Sequence, residues 1–464
     1  MKIRFFTILL ICFLLLAATA CGKNQEEIPE TTTVTTTAAE TTVAETEAPV
    51  EDLTVVDPDG KTAFTIVRGD AADGMTVNIV IALHTRLNST YRSKVGLSSD
   101  IMTRPGPDGS VVNDKYEILV GKTNRRESID AVAELAELGR DYLICARGKK
   151  LIIVGATPFA TKYAVNLFMN EYVKRSDEGL TLPGDLFLTG DGAAQGVALT
   201  EGADLRVMTF NLRGNGENPN ARFPNIQETI LTYMPDVIGF QEANGQYSGV
   251  LNQLENYAIV ETEMPSNCTP ILYLKDKYTQ VDGGCEFLDS RYTGTNTKSI
   301  EWVVLQSVES GRRFCVINLH GAVLTNDYDG YGGMSSAEMN AIVTEWRVDN
   351  VRQMLELRDR VETKHGDLPV MFTGDFNFSH GSAAYQATLT AGLTEAELSA
   401  KVRMTGFNTW HSVGVTPSAG KSIDHIFYHP DDVTALRHHI AKADGFEIKA
   451  SDHCAVWADV KLLK

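Results

Sequence analysis

Polar side chains stand where buried strands should still be running apolar. Asn211 closes MTFN, Glu242 closes VIGFQE and His320 closes VINLH. Asp375 and Asn377 end VMFTGDFN, Asp424 and His425 interrupt SIDHIFY, and Asp452 and His453 precede the final apolar run. One polar group at a strand end is ordinarily a cap or a satisfied turn residue. Six such events at successive strand ends are not explained that way. Taking a carboxylate out of water costs several kcal/mol unless something pairs with it. A divalent cation together with a phosphate would do so, and these residue types therefore point to phosphate chemistry.

The elements that must position these residues follow from periodicity. From Leu205 to the end, strands and helices alternate. LRVMTFNL, DVIGFQE, TPILYLKD, IEWVVLQSVES, RRFCVINLHG, LPVMFTGDFN, SIDHIFYH and CAVWADVKL read as strands. RFPNIQETILTYM reads as an amphipathic helix with Ile226, Ile230 and Leu231 on one face, and a long helix is predicted over about Ser335–Val361. Leu53 to about Gly190 forms a separate alternation. AFTIVRG and TVNIVIAL frame its first part. YEILVGKTNR, SIDAVAELAELG, DYLICARGKKLIIVGA and TKYAVNLFMNEYV then read as strand, helix, hairpin and helix, with Gly148-Lys149-Lys150 at the hairpin turn. Residues 191–204 are small and polar, as in a linker. No repeat of fixed period is present.

The N-terminus reads as an address. Lys2 and Arg4, the apolar run Phe5–Leu16 and a following small-residue stretch form a signal-peptide pattern over residues 1–21. The run is shorter than the roughly 20 residues a membrane span needs. Ala18-Thr19-Ala20-Cys21 resembles a bacterial lipobox, with Ala18 in place of the usual Leu. The resemblance implies lipidation of Cys21 and a cell-membrane location on the extracytoplasmic face; plain secretion is the alternative. Diacyl modification anchors stably where one chain binds only reversibly. Residues 22–52 are rich in Thr and Glu and lack aromatic residues, so they are expected to stay solvated as a tether.

Composition limits the function classes. The 464 residues carry 42 Lys and Arg against 60 Asp and Glu, a formal charge of −18. Removing the signal peptide makes the chain more acidic still, and both halves are acidic. Nucleic-acid binding through a broad basic surface is thereby disfavoured. The seven Cys form no CxxC pair and no disulfide framework. Cys145, Cys268, Cys285, Cys315 and Cys454 are read as free thiols, largely buried. Trp302 and Trp457 are expected in the core, and Lys149-Lys150 at a solvated hairpin tip. His438-His439 is read as a surface pair, since neighbours on a strand face opposite ways.

The motifs TFNL, PDVIGFQE, NLH, GDFN, IDHIF and SDH, in that order over about 260 residues, resemble the endonuclease/exonuclease/phosphatase superfamily. Its members include deoxyribonuclease I, abasic-site endonucleases, neutral sphingomyelinases and inositol polyphosphate phosphatases. The resemblance implies an α/β fold, a four-layer α/β/β/α sandwich of two packed mixed sheets over residues 205–464, with the site at one edge. It implies metal ligation by Glu242, Asn211 and Asp452, with Mg2+ or Mn2+ as the ion, as hard oxygen ligands suit. It makes His453 the general base, Asp424 the carboxylate that orients its ring, Asp375 and Asn377 the pair that positions nucleophile and phosphate oxygen, and His320 a phosphate contact. The reaction implied is in-line attack of water on phosphorus.

There are departures from the family pattern. Where deoxyribonuclease-like members place a Glu to pair with the middle His, the register puts Asn267, which leaves the protonation of His320 open. Arg347 with Asn350 stands where an Arg and a Gln are usual. The acidic loop Gly321–Ser336 is a candidate for substrate selection, and Trp410 a candidate cleft wall. Residues 53–190 resemble the small α/β accessory domain that precedes the barrel in hexosaminidase-type and glucuronidase-type glycoside hydrolases. The residues carrying this are Glu117 to Arg125, Gly155-Ala156-Thr157 and Tyr163-Ala164-Val165. The resemblance implies a structural or glycan-proximal role. Two functional readings stay open: a monomeric hydrolase of nucleic-acid, phospholipid or sugar phosphoesters, and an inactive surface protein that binds glycan or a phosphorylated ligand.

Overall fold

The structure, a computed structural model, describes residues 51–191, 196–214, 219–263, 269–288, 298–324, 333–443 and 445–464. The signal-peptide pattern, Cys21, nearly all of the tether, Asn267, Cys268 and residues 325–332 of the expected selection loop lie outside these. Among the described residues no helix is long and apolar enough to cross a membrane.

Two mixed sheets build the C-terminal region. The seven-stranded sheet runs, in spatial order, Tyr257–Ile259, Ile271–Leu274, Val237–Gln241, Leu205–Asn211, Val456–Leu462, Val433–Ile440 and Val402–Arg403. The six-stranded sheet runs Tyr278–Phe287, Ser299–Ser307, Arg313–His320, Val370–Asp375, Asp424–Tyr428 and Thr394–Glu395. Val207, Val456 and Val460 of the first share one core with Val303, Val316, Met371 and Ile426 of the second. Helix Ser336–His365 covers the other face of the six-stranded sheet, packing Met339, Val343, Met354 and Leu357 against Ile317, Leu319, Phe372 and Phe427. A strand covered on both faces has no solvent side, which is why all seven residues of Leu205–Asn211 are buried. The long helix begins at a capping box in which Ser335 and Glu338 each satisfy the other's backbone N–H, and it runs four residues past the predicted end at Val361.

A buried polar network joins the two sheets below their common edge. Asn318 donates to Phe240 O at 2.7 Å, while its Oδ1 accepts from Gln241 Nε2 at 2.7 Å and Thr373 Oγ1 at 3.1 Å. Gly239 makes room for it, since a Cβ there would lie 2.3 Å from Asn318 Oδ1.

Residues 53–190 form a six-stranded sheet and a two-stranded pair with their own cores. TVNIVIAL lies within helix Gly74–Tyr91, although its β-branched residues favour strands. Asp73 caps that helix by accepting from Thr76 N, and burial of Ile79, Val80, Leu83 and Leu87 outweighs the local preference. The helix packs on helix Phe223–Tyr233: Asn78 bonds to Glu228, and a Cβ on Gly74 would meet Pro224 O at 2.3 Å; Lys162, from helix Pro158–Glu171, also pairs with Glu228 at 2.7 Å. On that second helix Ile226 and Ile230 are fully buried and Leu231 half-buried.

Residues 196–204 are tied down rather than loose. Val197 N donates to Thr232 O, Thr200 N to Asp459, and Arg206, stacked on Trp457 and paired with Asp459, donates to Val197 O and Ala198 O.

Two surface expectations are corrected. Lys150 is buried, because its ammonium bonds to Glu117 at 2.9 Å beside Arg125; Lys149 alone occupies the exposed tip. His438 is also buried, its Nδ1 within 3.0 Å of Met404 O, and burial lowers its pKa to about 4. Cys145, Cys315 and Cys454 are buried free thiols and Cys285 is half-buried. Trp457 lies in the core and Trp302 packs at its margin.

Candidate active site

Register alone brings the chemistry together. His320 and Asp375 are directly paired across parallel strands, and Asp375 and Asp424 across antiparallel ones. On the facing sheet, Asn211 is paired with Gln241, one residue before Glu242. All the strands that carry these residues therefore end at one edge of the sandwich.

Two of the site residues picked out in the sequence occupy the left-handed backbone region, Glu242 at φ 57° and Asn377 at φ 55°. For residues with a Cβ this conformation costs about 1–2 kcal/mol and is kept where surroundings fix it. Here they do. The turn at Glu242 sends its carboxylate back over Asn211 Nδ2 at 3.2 Å and Gly214 N at 2.9 Å. Asn377 N donates to Asp375 Oδ1 at 3.0 Å and its Nδ2 to Gly321 O at 3.2 Å, which fastens the GDFN turn to the segment after His320.

Asn211 bridges the two sheets. Its Nδ2 also donates to Asp375 Oδ2 at 3.0 Å, while its Oδ1 accepts from Arg213 N. Asp375, Asp424 and His453 each offer a ligand atom within 4.8 Å of the others. Asp424 Oδ2 is 3.0 Å and Oδ1 3.2 Å from His453 Nδ1, and His453 Nε2 lies 3.9 Å from Asp375 Oδ2. Asp452 stands at the rim, with its Oδ2 3.5 Å from Arg213 Nε and its Oδ1 3.4 Å from Ser451 Oγ.

The electrostatics follow from burial and crowding. Burial, then the charge of Asp424, pushes the Asp375 carboxyl up to about 6. Burial alone would depress His453, but the charges of Asp424 and Asp375 and the hydrogen bond to Asp424 push it up to about 10. Two adjacent buried carboxylates thus demand a cation, and without a metal the imidazolium serves as one. Their hard oxygens, with Glu242 beside Asp375 through Asn211, fit Mg2+ or Mn2+. His320 goes the other way. Burial, then the neighbouring charges of Lys298 and His453, holds its pKa well below the usual range, and Lys298 Nζ touches its Nε2.

Lys298, Arg213, Ser451 and Thr409 went unread in the sequence. Ser451 Oγ donates to Asn211 O at 2.7 Å, and Thr409 Oγ1 accepts from the backbone N–H groups of Ile423 and Asp424. Ser451 was within reach as the first residue of SDH. Lys298 and Thr409 carry no local signal, because they approach the site from separate segments. Trp410 is exposed, and its backbone pairs with that of His453, so it stands at the mouth. Arg347 Nε donates to Ala322 O and Asn350 Oδ1 accepts from Ala322 N, so this pair braces the segment after His320.

A sandwich of two mixed sheets with a carboxylate and histidine cluster at one edge defines a phosphoester-hydrolase type of scaffold. The chain belongs to the Endonuclease/Exonuclease/phosphatase family, whose model matches residues 208–453 and whose members include phosphatases and nucleases. Among solved structures it is similar to an endonuclease/exonuclease/phosphatase family protein of Bacteroides thetaiotaomicron. That match has 20% identity and TM-score 0.45, covering 55% of this chain and 97% of the other. A mannosyl-6-phosphatase of the same organism matches at 19% identity and TM-score 0.45, covering 55% and 99%. The human Nocturnin catalytic domain with bound sulfate matches at 17% identity and TM-score 0.40, covering 57% and 96%. No curated protein matches the sequence.

Proposed function

We propose that the chain hydrolyses phosphoesters with the help of Mg2+ or Mn2+, on the outer face of a bacterial membrane to which a lipidated Cys21 holds it. The observation that carries the catalytic reading is the convergence of Glu242, Asp375, Asp424 and His453 at one sheet edge. Glu242 would hold the ion together with Asn211 and Asp452, and Asn211 also ties Glu242 to Asp375. When bound, the ion compensates charge on the phosphoryl and leaving oxygens.

The chain's own residues do the rest. Asp424 accepts the hydrogen bond from His453 Nδ1–H and fixes the ring so that Nε2 faces the reacting water. Water oxygen bonds to phosphorus as the ester oxygen leaves, and His453 Nε2 takes the water's proton. Asp375 and Asn377 position the water and one phosphate oxygen. The Lys298 ammonium, which donates to Nε2 of neutral His320 and is held by it, presents its remaining N–H groups to another phosphate oxygen. Cationic charge on the carboxylates favours the neutral, basic form of His453, so the base becomes competent when the site is loaded.

The substrate class is a phosphate ester on a sugar, lipid or nucleotide. Trp410 offers such a group an apolar face at the mouth, and residues 53–190 are proposed as a structural or glycan-proximal accessory region. The test is turnover of bis-p-nitrophenyl phosphate and p-nitrophenyl phosphate with Mg2+, Mn2+ or EDTA. Metal-dependent release from either supports the reading and separates diesterase from monoesterase action. Full activity in EDTA removes the metal, and no turnover of either favours the binding-protein alternative. For the anchor, Cys21→Ala should leave the membrane fraction; unchanged association ends that part of the proposal.

A further inference from the structure

Residues of one strand point alternately to its two faces. Asp424 faces the site, so His425 faces away from it. Behind the catalytic edge His425 meets His380, Glu395 and Glu397, and one donor atom from each of the four lies within 4.8 Å of the others. His380 follows the GDFN turn, Glu395 and Glu397 come from the segment Thr394–Ser399, and His425 comes from strand Asp424–Tyr428.

Three features separate this cluster from an ordinary ion-pair knot. First, His425 Nε2 lies 2.8 Å from Phe378 O, which can only accept, so that nitrogen carries a proton and Nδ1 is aimed at Glu395 Oε1. A backbone carbonyl on the far ring nitrogen is the usual way a metal-binding histidine is oriented. Second, Glu395 Oε2 accepts from Tyr385 OH at 2.8 Å and lies 2.6 Å from His380 Nε2, so this carboxylate too is held from behind. Third, Glu397 Oε1 accepts from Gly406 N, but its Oε2 is buried with no hydrogen-bond partner, 3.6 Å from His380 Nε2. An orphaned buried carboxylate oxygen is costly. It faces three other donors in a pocket walled by Phe378, stacked on His425, and Tyr385, edge-on to His380.

We propose that His380, Glu395, Glu397 and His425 form a second metal site, taking Zn2+ or a similar four-coordinate transition-metal ion. Two imidazole nitrogens and two carboxylate oxygens suit zinc rather than magnesium. Bonds of 2.0–2.2 Å in a tetrahedron put ligand atoms about 3.3–3.6 Å apart; His380 Nε2 and Glu397 Oε2 are already 3.6 Å apart, and the hydrogen bonds from His380 and His425 to Glu395 would open as their protons leave. Binding releases the proton on His425 Nδ1, so Nδ1 becomes a ligand while Nε2 stays bonded to Phe378 O. His380 is the partly exposed member and marks the way in. With four ligands from the protein the site is closed and structural. It would clamp the turn after Asp375 and Asn377 to the strand that carries Asp424.

The test uses the full chain, stripped with dipicolinate, dialysed against Zn2+ in excess Mg2+ and then against Mg2+ alone. One zinc per chain is expected in the wild type and in Glu242→Gln, with loss of that zinc in His380→Ala and in Glu397→Gln. A hundredfold excess of Zn2+ over Kd should raise the wild-type Tm by roughly 3–5 °C and leave His380→Ala unmoved. No retained zinc in the wild type, or equal retention in both cluster variants, overturns the site. Should either variant fold poorly, Co2+ bound to the wild type decides. Intense visible bands of four-coordinate cobalt support the proposal, and their absence defeats it. Glu242→Gln separates this site from the catalytic one, since it impairs turnover without touching the zinc.

Discussion

Asp424 and His453 are 29 positions apart, yet both carboxylate oxygens of Asp424 lie within 3.2 Å of His453 Nδ1. Asp424 is held in turn by Thr409 Oγ1 on its backbone N–H. The ring therefore has one orientation, with Nε2 toward Asp375.

A pair held this way should act as a unit. His453→Ala is expected to lower kcat by about 10²–10⁴ with little change in KM. Asp424→Asn should lose less, and the double variant should be hardly worse than His453→Ala. Steady-state kinetics of the three variants check this. Losses that simply add would separate the two residues, and His320 would then be the next candidate for proton transfer.

Glu242→Gln keeps the side-chain volume and removes a charge. Activity should fall by orders of magnitude, with only partial recovery at high Mg2+. Its hydrogen bonds from Asn211 and Gly214 make the residue sensitive to shape, so circular dichroism should first show a native fold. Near-normal turnover would take Glu242 out of the metal site.

The pH dependence of stability has a definite sign. Asp375 is raised from 3.8 to about 6, and His453 from 6.5 to about 10. In both cases the folded state holds its proton at a pH where the unfolded chain has lost it. Stability from His453 is thus full below about pH 6.5 and lost as pH rises to about 10, and the Asp375 contribution declines between 3.8 and about 6. Metal-free Tm should fall from pH 6.5 to 10, less steeply in Mg2+ and less steeply in His453→Ala. A flat or rising profile without metal contradicts the charge balance described for the site.

Lys298 supplies the cation beside His320. Lys298→Met should lower kcat/KM by about 10- to 150-fold, the equivalent of one charged hydrogen bond of roughly 1.5–3 kcal/mol. The His320 pKa should rise once that charge is gone, which an NMR titration of its ring proton would report. Unchanged kinetics would leave Lys298 with a structural role.

Gly239→Ala tests the join between the sheets. The new methyl would collide with Asn318 Oδ1, and overpacking of this kind costs about 1–3 kcal/mol. A Tm lower by roughly 2–6 °C is expected in thermal unfolding. A neutral result would mean that Asn318 swings aside.

The strand ends were legible because apolar runs stop at them, so Asn211, Glu242, His320, Asp375 and Asp424 could be picked out before any fold was known. The arrangement of two packed sheets was implied by the resemblance of the ordered motifs to the family, not by the pattern of any strand. Other features were not legible. Lys298 and Thr409 reach the site only through tertiary packing, and nothing in TKSIEW or FNTWH marks them. TVNIVIAL has a strand composition, but Asp73 and the apolar face it packs make it a helix. Lys150 looked solvated from its neighbours, whereas Glu117, 33 positions away, decides its burial. The cluster around His425 was half visible: the histidine stood out, but its partners come from two other segments.

Strands Leu205–Asn211 and Val456–Leu462 are paired neighbours, although they open and close the catalytic region. Ser451 reaches Asn211 across 240 positions of sequence. The hydrolytic edge therefore has no N-terminal half that could form ahead of the rest. A chain cut before His453 possesses neither the proposed base nor the strand that pairs with Leu205–Asn211. The edge thus has no self-sufficient fragment: it exists whole or not at all. The same adjacency makes residues 205 and 464 natural points to join in a circular permutant, which would keep the edge intact while moving the opening elsewhere.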